Sequence, residues 1–379
     1  MAEPLKHRFG PEIPEKISAM IVEVYPEFTV NDFLEFCLSD YQALELKARA
    51  LRIAQGFKAT LPDSYPEAIK ILVHSLGEKL TKTDDFGMSP FVYFPHVLFV
   101  SEYGLEHFEE SMAAQYELTQ RFSAEFSIRA FIEKYPEDTM ARLAEWALDP
   151  DVHIRRLASE GTRPRLPWAQ RLPIFQKDPQ PVLKILELLK DDPELFVRRS
   201  VANNLNDIGK DNPQVLVDVA ERWMVGASAE RQWIVRHALR SAVKRAEPKA
   251  LAILGYQPSE NLEVVSVKIT PTKVNKGESV TVCFTLKNNG SLQQSVMADF
   301  SIHFVKANGK TSPKVFKMKS LQLGPNEQVT LSKKVSLAEM TTRKHYPGVH
   351  KVDVILNGVT HPLGQFELMA LEAIEESLS

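Results

Sequence analysis

Apolar residues recur at intervals of three and four along the first two thirds of the chain. Val182, Ile185, Leu186 and Leu189 show the spacing that puts one face of a helix into a core. From Leu262 onward the interval becomes two. Val265, Val267 and Ile269 alternate with polar neighbours, as do Val280, Val282, Phe284 and Leu286, the pattern of half-buried strands. Tyr256-Gln-Pro-Ser-Glu-Asn261 lies between the two regimes and has the composition of a linker. The pattern therefore predicts an all-α domain over residues 1–256 and an all-β domain over residues 262–369.

Within the helical part a segment repeats. Asp149-Pro-Asp-Val-His-Ile-Arg-Arg-Leu-Ala158 lines up with Asp192-Pro-Glu-Leu-Phe-Val-Arg-Arg-Ser-Val201, 43 residues later, and a weaker copy, Trp233-Ile-Val-Arg-His-Ala238, follows after 38 more. Phe126-Ser-Ile-Arg-Ala130 is an upstream trace. A period near forty with two helices per unit predicts a HEAT-like repeat solenoid. Each Asp-Pro is expected to cap the second helix of its unit, Asp as cap and Pro in the first turn. With Ile or Val facing the neighbouring repeat, the arginine pairs face away. Arg155, Arg156, Arg198, Arg199, Arg236, His237 and Arg240 are then expected to form a ladder of cations on one concave surface, suited to a phosphate backbone. Such arrays also serve as protein-binding scaffolds, which periodicity alone does not separate from nucleic-acid binding. In the β region, Asn288-Asn289-Gly290, Asn308-Gly309, Gly324-Pro325-Asn326 and Asn357-Gly358 mark turns between about seven short strands, which predicts an immunoglobulin-like sandwich. The Cys…Trp…Cys core of antibody domains is missing, so only the architecture is implied.

Composition narrows the function classes. The chain has 379 residues, 44% of them hydrophobic and 25% charged, values that exclude disorder as its main character. Its longest apolar stretch, Phe91 to Val100, is interrupted by Pro95 and His96 and is too short to span a bilayer. Met1 to Gly10 has no apolar core and does not read as a signal peptide. Two distant cysteines, Cys37 and Cys283, fit a reducing cytosol and give neither a disulfide framework nor a zinc motif. The net charge of −3 hides a division. Residues 1–120 hold 10 Lys and Arg against 19 Asp and Glu, whereas residues 262–369 hold 14 against 7. A basic C-terminal domain attracts polyanions. There Lys314, Lys317 and Lys319 are expected to share a strand face, and Arg343 and Lys344 precede the Tyr346-Pro-Gly348 turn.

Chemistry concentrates where the first copy departs from the second. Ile154-Arg-Arg-Leu-Ala-Ser-Glu160-Gly-Thr-Arg163-Pro-Arg165-Leu-Pro-Trp168 puts Arg156, Glu160 and Arg163 at i, i+4 and i+7, on one helix face. Glu160 occupies the place that Asn203 takes in the next copy. Set among Arg155, Arg156, Arg163 and Arg165, it is expected to stay ionised. A carboxylate on a phosphate-binding face opposes affinity, so it points either to a surface salt-bridge cluster or to electrostatic work beside Trp168. Taken alone, Asp207 near a helix end reads as a local hydrogen-bonding residue, Glu125 in Phe122-Ser-Ala-Glu-Phe-Ser127 as a first-turn helix residue, and Trp223 and Trp233 as packing. His345 and His350 read as part of a solvated turn.

Arg-Arg-Leu-Ala-Ser-Glu-Gly-Thr-Arg-Pro-Arg-Leu-Pro-Trp inside such repeats resembles the AlkC branch of the AlkC/AlkD DNA glycosylases, and the appended sandwich resembles the form of that branch with an immunoglobulin-like domain. The resemblance spans essentially the whole chain. It implies monofunctional excision of cationic N3-alkylated bases, 3-methyladenine and 3-methylcytosine, without turning the nucleotide into a deep pocket. It places the carboxylates Glu160 and Asp207 at the lesion with Glu125 nearby, Trp168 against the deoxyribose, and Arg156 and Arg163 on phosphates. The implied partner is double-stranded DNA carrying alkylated bases, bound by a monomer in the bacterial cytosol, with no cofactor, metal or membrane. The sandwich is then expected to act as a DNA clamp through Lys317 and Arg343. A non-catalytic sensor of alkylated DNA stays open beside the enzyme and the scaffold.

Overall fold

The computed structural model describes residues 5–83, 87–339 and 344–370. Among these, sixteen α-helices precede eight β-strands, and the chain divides into two compact units, Met1–Ala238 and Leu239–Ser379. No helix among the described residues is long and apolar enough to cross a membrane. The change of period near residue 256 is the change from helix to strand. The helices Arg240–Lys244 and Pro248–Ile253, however, belong to the same unit as the strands.

In the first unit the tandem copies become helices that pack side by side. Val152–Glu160 packs on Leu195–Asp211, and that helix packs on Ala229–Ala238. Each seals its contact with residues spaced three and four apart, all buried: Ile154, Leu157 and Ala158, then Val197, Val201 and Leu205, then Ile234, Val235 and Ala238. Burying each large aliphatic side chain stabilises the stack by roughly 1.5–3 kcal/mol. Val182, Ile185, Leu186 and Leu189 are buried along Gln180–Leu189, as their spacing requires. Trp223 is buried and its indole donates to Glu187 at 2.8 Å, a packing role.

The Asp-Pro pairs do not cap. The N-cap of Val152–Glu160 is Asp151, whose carboxylate accepts the His153 N–H at 2.8 Å. Asp149 instead accepts the Asp151 N–H at 2.7 Å, and Asp192 accepts the Glu194 N–H at 2.9 Å. A proline disfavours helical backbone in the residue before it, so the aspartate closes a turn just ahead of the helix.

In the second unit, β1 (Leu262–Thr270), β3 (Ser279–Asn288) and β6 (Gln328–Ser336) form one sheet in the order β1-β3-β6. A five-stranded sheet comprises β2 (Lys273–Val274), β8 (Val359–Leu368), β7 (Gly348–Leu356), β4 (Gln294–Val305) and β5 (Thr311–Leu323), in that order. Val280, Val282, Phe284 and Leu286 point into a core shared with Phe300, Ile302 and Phe366. Val265 and Val267 stay 40% and 41% exposed, because β1 is an edge strand with a bulge between Val264 and Ser266. Asn357 and Gly358 both have positive φ, 47° and 88°, as a tight hairpin turn between β7 and β8 demands.

Two expectations about this unit change. Lys317 pairs with Asp299 and Lys314 with Ile302, which lie on opposite faces of β4, so the lysines do not share one face. Their odd spacing and the bulge at Ala298/Asp299 break the alternation. His345 and His350 are buried rather than solvated. His350 stacks on Phe366 with ring centres 5.0 Å apart, and burial pushes its pKa down.

Candidate active site

The first unit carries a cleft of about 420 Å³. One wall is apolar and aromatic, with Leu80, Pro90, Phe91, Phe122 and Phe126. Phe91 meets Phe122 edge-on at 5.1 Å. The other wall holds Glu125, Arg156, Glu160 and Arg163, and Trp168 stands at the rim.

The charged wall is one alternating chain. Arg156 donates to Glu125 at 3.0 Å and lies 3.6 Å from Glu160; Arg163 donates to Glu160 at 2.7 Å and to Asp207 at 2.8 Å; Lys210 closes on Asp207 at 2.7 Å. Local sequence explains the first links, because Arg156, Glu160 and Arg163 follow the helical spacing across the end of Val152–Glu160. Asp207 comes from the next copy's helix, Leu195–Asp211.

Glu160 is only 6% exposed and is the last residue of its helix, where the macrodipole disfavours an anion. Burial pushes its pKa up, but Arg156, Arg163 and the Ser200 hydroxyl together outweigh that and hold the carboxyl below its ordinary value. Ser200 donates to its second oxygen at 2.6 Å. Behind it, the Asn204 amide donates to the Ser159 carbonyl at 2.7 Å and the Thr162 hydroxyl at 3.0 Å, so the support is itself hydrogen-bonded. The arrangement is a fixed, ionised carboxylate facing an apolar wall, able to stabilise a cation formed between them.

Trp168 is 68% exposed and has φ +64°. A bulky side chain in left-handed backbone is uncommon and marks a constrained position. Leu166 beside it is buried, so the loop is anchored and the indole is presented outward.

The other residues expected at the site are placed differently from one another. Asp207 is 1% exposed and does not line the cleft; it lies behind Arg163. Arg155, Arg163 and Arg165 are paired with carboxylates of the protein. Arg155 donates to Asp192 at 2.7 Å and to the Asp149 and Pro150 carbonyls at 3.0 and 2.9 Å, a clasp between copies. Arg165 grips Asp211 at 2.7 and 2.5 Å. Arg156, besides its carboxylates, lies over the Phe196 ring at 4.8 Å. Arg199 and Arg236 are exposed, the state a phosphate contact needs. Arg240 opens a helix of the second unit, where Lys317 is exposed on β5, and Arg343 lies outside the described residues.

Ser200 was not legible as a site residue, although a signal existed: it occupies the place of buried Leu157, so a polar group replaces a core residue between copies. The aromatic wall gave no such signal, because Phe91 and Phe122 are brought together from distant segments.

Comparison with known proteins gives two family matches. Residues 119–245 match the family model described as DNA alkylation repair enzyme, and residues 263–370 match the C-terminal Ig-like domain described for the uncharacterised protein YhaZ. The uncharacterized protein YhaZ of Bacillus subtilis (strain 168) is 38% identical over 355 residues, covering 93% of this chain and 96% of that protein. The solved structure of Pseudomonas fluorescens alkylpurine DNA glycosylase AlkC, bound to DNA containing an abasic site analog, is similar with a TM-score of 0.88 at 36% identity, over 97% of this chain and 100% of that one.

Proposed function

This chain belongs to the AlkC-type family of DNA alkylation repair proteins with a C-terminal Ig-like domain, and from that premise we propose that it is a monofunctional DNA glycosylase that releases cationic N3-alkylated bases, 3-methyladenine and 3-methylcytosine, from double-stranded DNA. The observation that carries the proposal is Glu160, a buried carboxylate kept ionised by two guanidiniums at the wall of an aromatic cleft.

An N3-methyl group makes the base a cation, so the base leaves neutral and needs no acid to protonate it. The C1′–N bond breaks with its electron pair going to the base. The deoxyribose is left as an oxocarbenium-like cation, which water captures to give an abasic site and a proton. Glu160 stabilises the cation as it forms, and its rigidity is what makes it effective. Glu125, tethered to the same Arg156, is the second carboxylate of the wall and takes the role of holding the water or receiving its proton. Trp168 packs on the sugar from the rim, which suits work at the duplex surface rather than on a nucleotide drawn into a closed pocket. Asp207 acts through Arg163, fixing the guanidinium that fixes Glu160. Exposed Arg199, Arg236 and Lys317 supply phosphate contacts, the last extending the contact to the Ig-like domain as a clamp.

The test is to incubate the protein with methylated duplex DNA and assay released bases by mass spectrometry. The proposal requires free 3-methyladenine and 3-methylcytosine with matching abasic sites; a scaffold or sensor releases neither.

A further inference from the structure

Arg129, in the helix Ile128–Lys134, is 3% exposed and forms no ion pair among the described residues. Among the described residues its guanidinium bonds only to backbone carbonyls. One terminal nitrogen donates to the Gly161 and Arg163 carbonyls at 3.0 and 2.9 Å; the other two nitrogens donate to the Gln170 carbonyl at 2.8 and 2.5 Å. A single side chain thus grips both ends of the loop that carries Leu166, Pro167 and Trp168.

Burying a cation without a carboxylate opposes folding, and burial pushes the Arg129 pKa down to about 10. Two further observations show what the device holds. A Cβ on Gly161 would come 2.6 Å from the Ile128 side chain, so the Arg129 helix lies against the start of the loop at a distance only glycine allows. Trp168 keeps left-handed backbone, which persists only where the surroundings fix it.

We propose that Arg129 is a positioning residue: by holding the carbonyls of Gly161, Arg163 and Gln170 it fixes the loop that presents Trp168 to the deoxyribose, and so speeds excision without touching DNA. The catalytic half rests on the glycosylase function proposed above; the loop-holding half stands without it. Lysine cannot span the two ends, because it offers a point charge where arginine offers a planar fork.

The experiment uses full-length protein labelled with 5-fluorotryptophan, the Trp168 resonance being assigned with Trp168→Phe. In Arg129→Lys the Trp168 line is expected to broaden or split while those of Trp146, Trp223 and Trp233 stay unchanged. Affinity for undamaged duplex stays within about twofold, and single-turnover excision falls roughly 10- to 100-fold. An unchanged Trp168 line together with a wild-type rate overturns the proposal. Movement of all four lines also overturns it, by assigning Arg129 to general stability. Should Arg129→Lys fail to fold, Pro167→Gly loosens the same loop without disturbing the buried guanidinium. It is expected to broaden the Trp168 line and slow excision, and a wild-type line and rate there overturn the proposal. If the Trp168 line broadens in Arg129→Lys but wild-type protein releases no base, the glycosylase function fails while the loop-holding role stands.

Discussion

The two Asp-Pro copies begin alike and end differently. In both, the first arginine turns back on its own turn: Arg155 donates to the Asp149 and Pro150 carbonyls, and Arg198 to those of Asp192 and Pro193 at 2.9 and 2.6 Å. In both, the second arginine points elsewhere, Arg156 into the cleft and Arg199 to solvent. Two of the aligned differences build the site. Leu157 becomes Ser200, and Glu160 becomes Asn203. The changes are complementary across the contact, because Ser200 donates to Glu160. One copy contributes the carboxylate and the next contributes the hydroxyl where a core residue would stand. The site therefore arises from the difference between repeats, on a scaffold that their sameness builds.

Substitutions in the two copies should separate them by effects of decreasing size. The largest effect is on folding. Arg155 reaches a carboxylate and Arg198, among the described residues, does not, so Arg155→Ala leaves the buried Asp192 carboxylate without its cation and should cost about 3 kcal/mol in urea unfolding. Arg198→Ala loses only backbone contacts, for about 1 kcal/mol. Equal losses would show that the inter-copy ion pair is not what distinguishes them. Next comes Trp168→Ala, which has no counterpart in the second copy. It should slow single-turnover excision roughly tenfold, the size of one desolvated cation–π contact, with folding stability unchanged.

A smaller and more specific effect concerns pH. Glu160 has a lowered pKa, so its ion pairs persist through the ordinary glutamate range and are lost only as pH falls through the lowered value. Excision should hold steady to below that range. Ser200→Ala removes one of the groups that lower the pKa and should move the acid limb to higher pH, with little change near neutrality. An unmoved limb would separate Ser200 from Glu160.

Much of the fold was legible because it is periodic. The intervals of three and four, then two, decide helix from strand before any tertiary contact, and the Asn-Gly pairs locate turns for a backbone reason. The arginines around the site are not equally free to meet DNA. Whether an arginine is free depends on partners the chain brings from far away, and Asp192 and Asp211 lie 37 and 46 residues from Arg155 and Arg165. Asp207 reads as a helix-end residue, yet its helix continues to Asp211 and its side chain faces Arg163. Glu160 and Trp168 were visible because each breaks a local rule, an acid among arginines and an aromatic between prolines and solvent. Arg129 breaks no rule in the sequence; its role appears only once the loop it holds is closed.

In the proposed mechanism the negative charge of Glu160 drives base release. Glu160→Gln keeps the shape and removes the charge. Single-turnover release of 3-methyladenine and 3-methylcytosine at neutral pH, measured with DNA affinity, tests it directly. The account predicts unchanged affinity and a rate lower by roughly 10²- to 10³-fold; a Glu160→Gln protein that excises at the wild-type rate would contradict it.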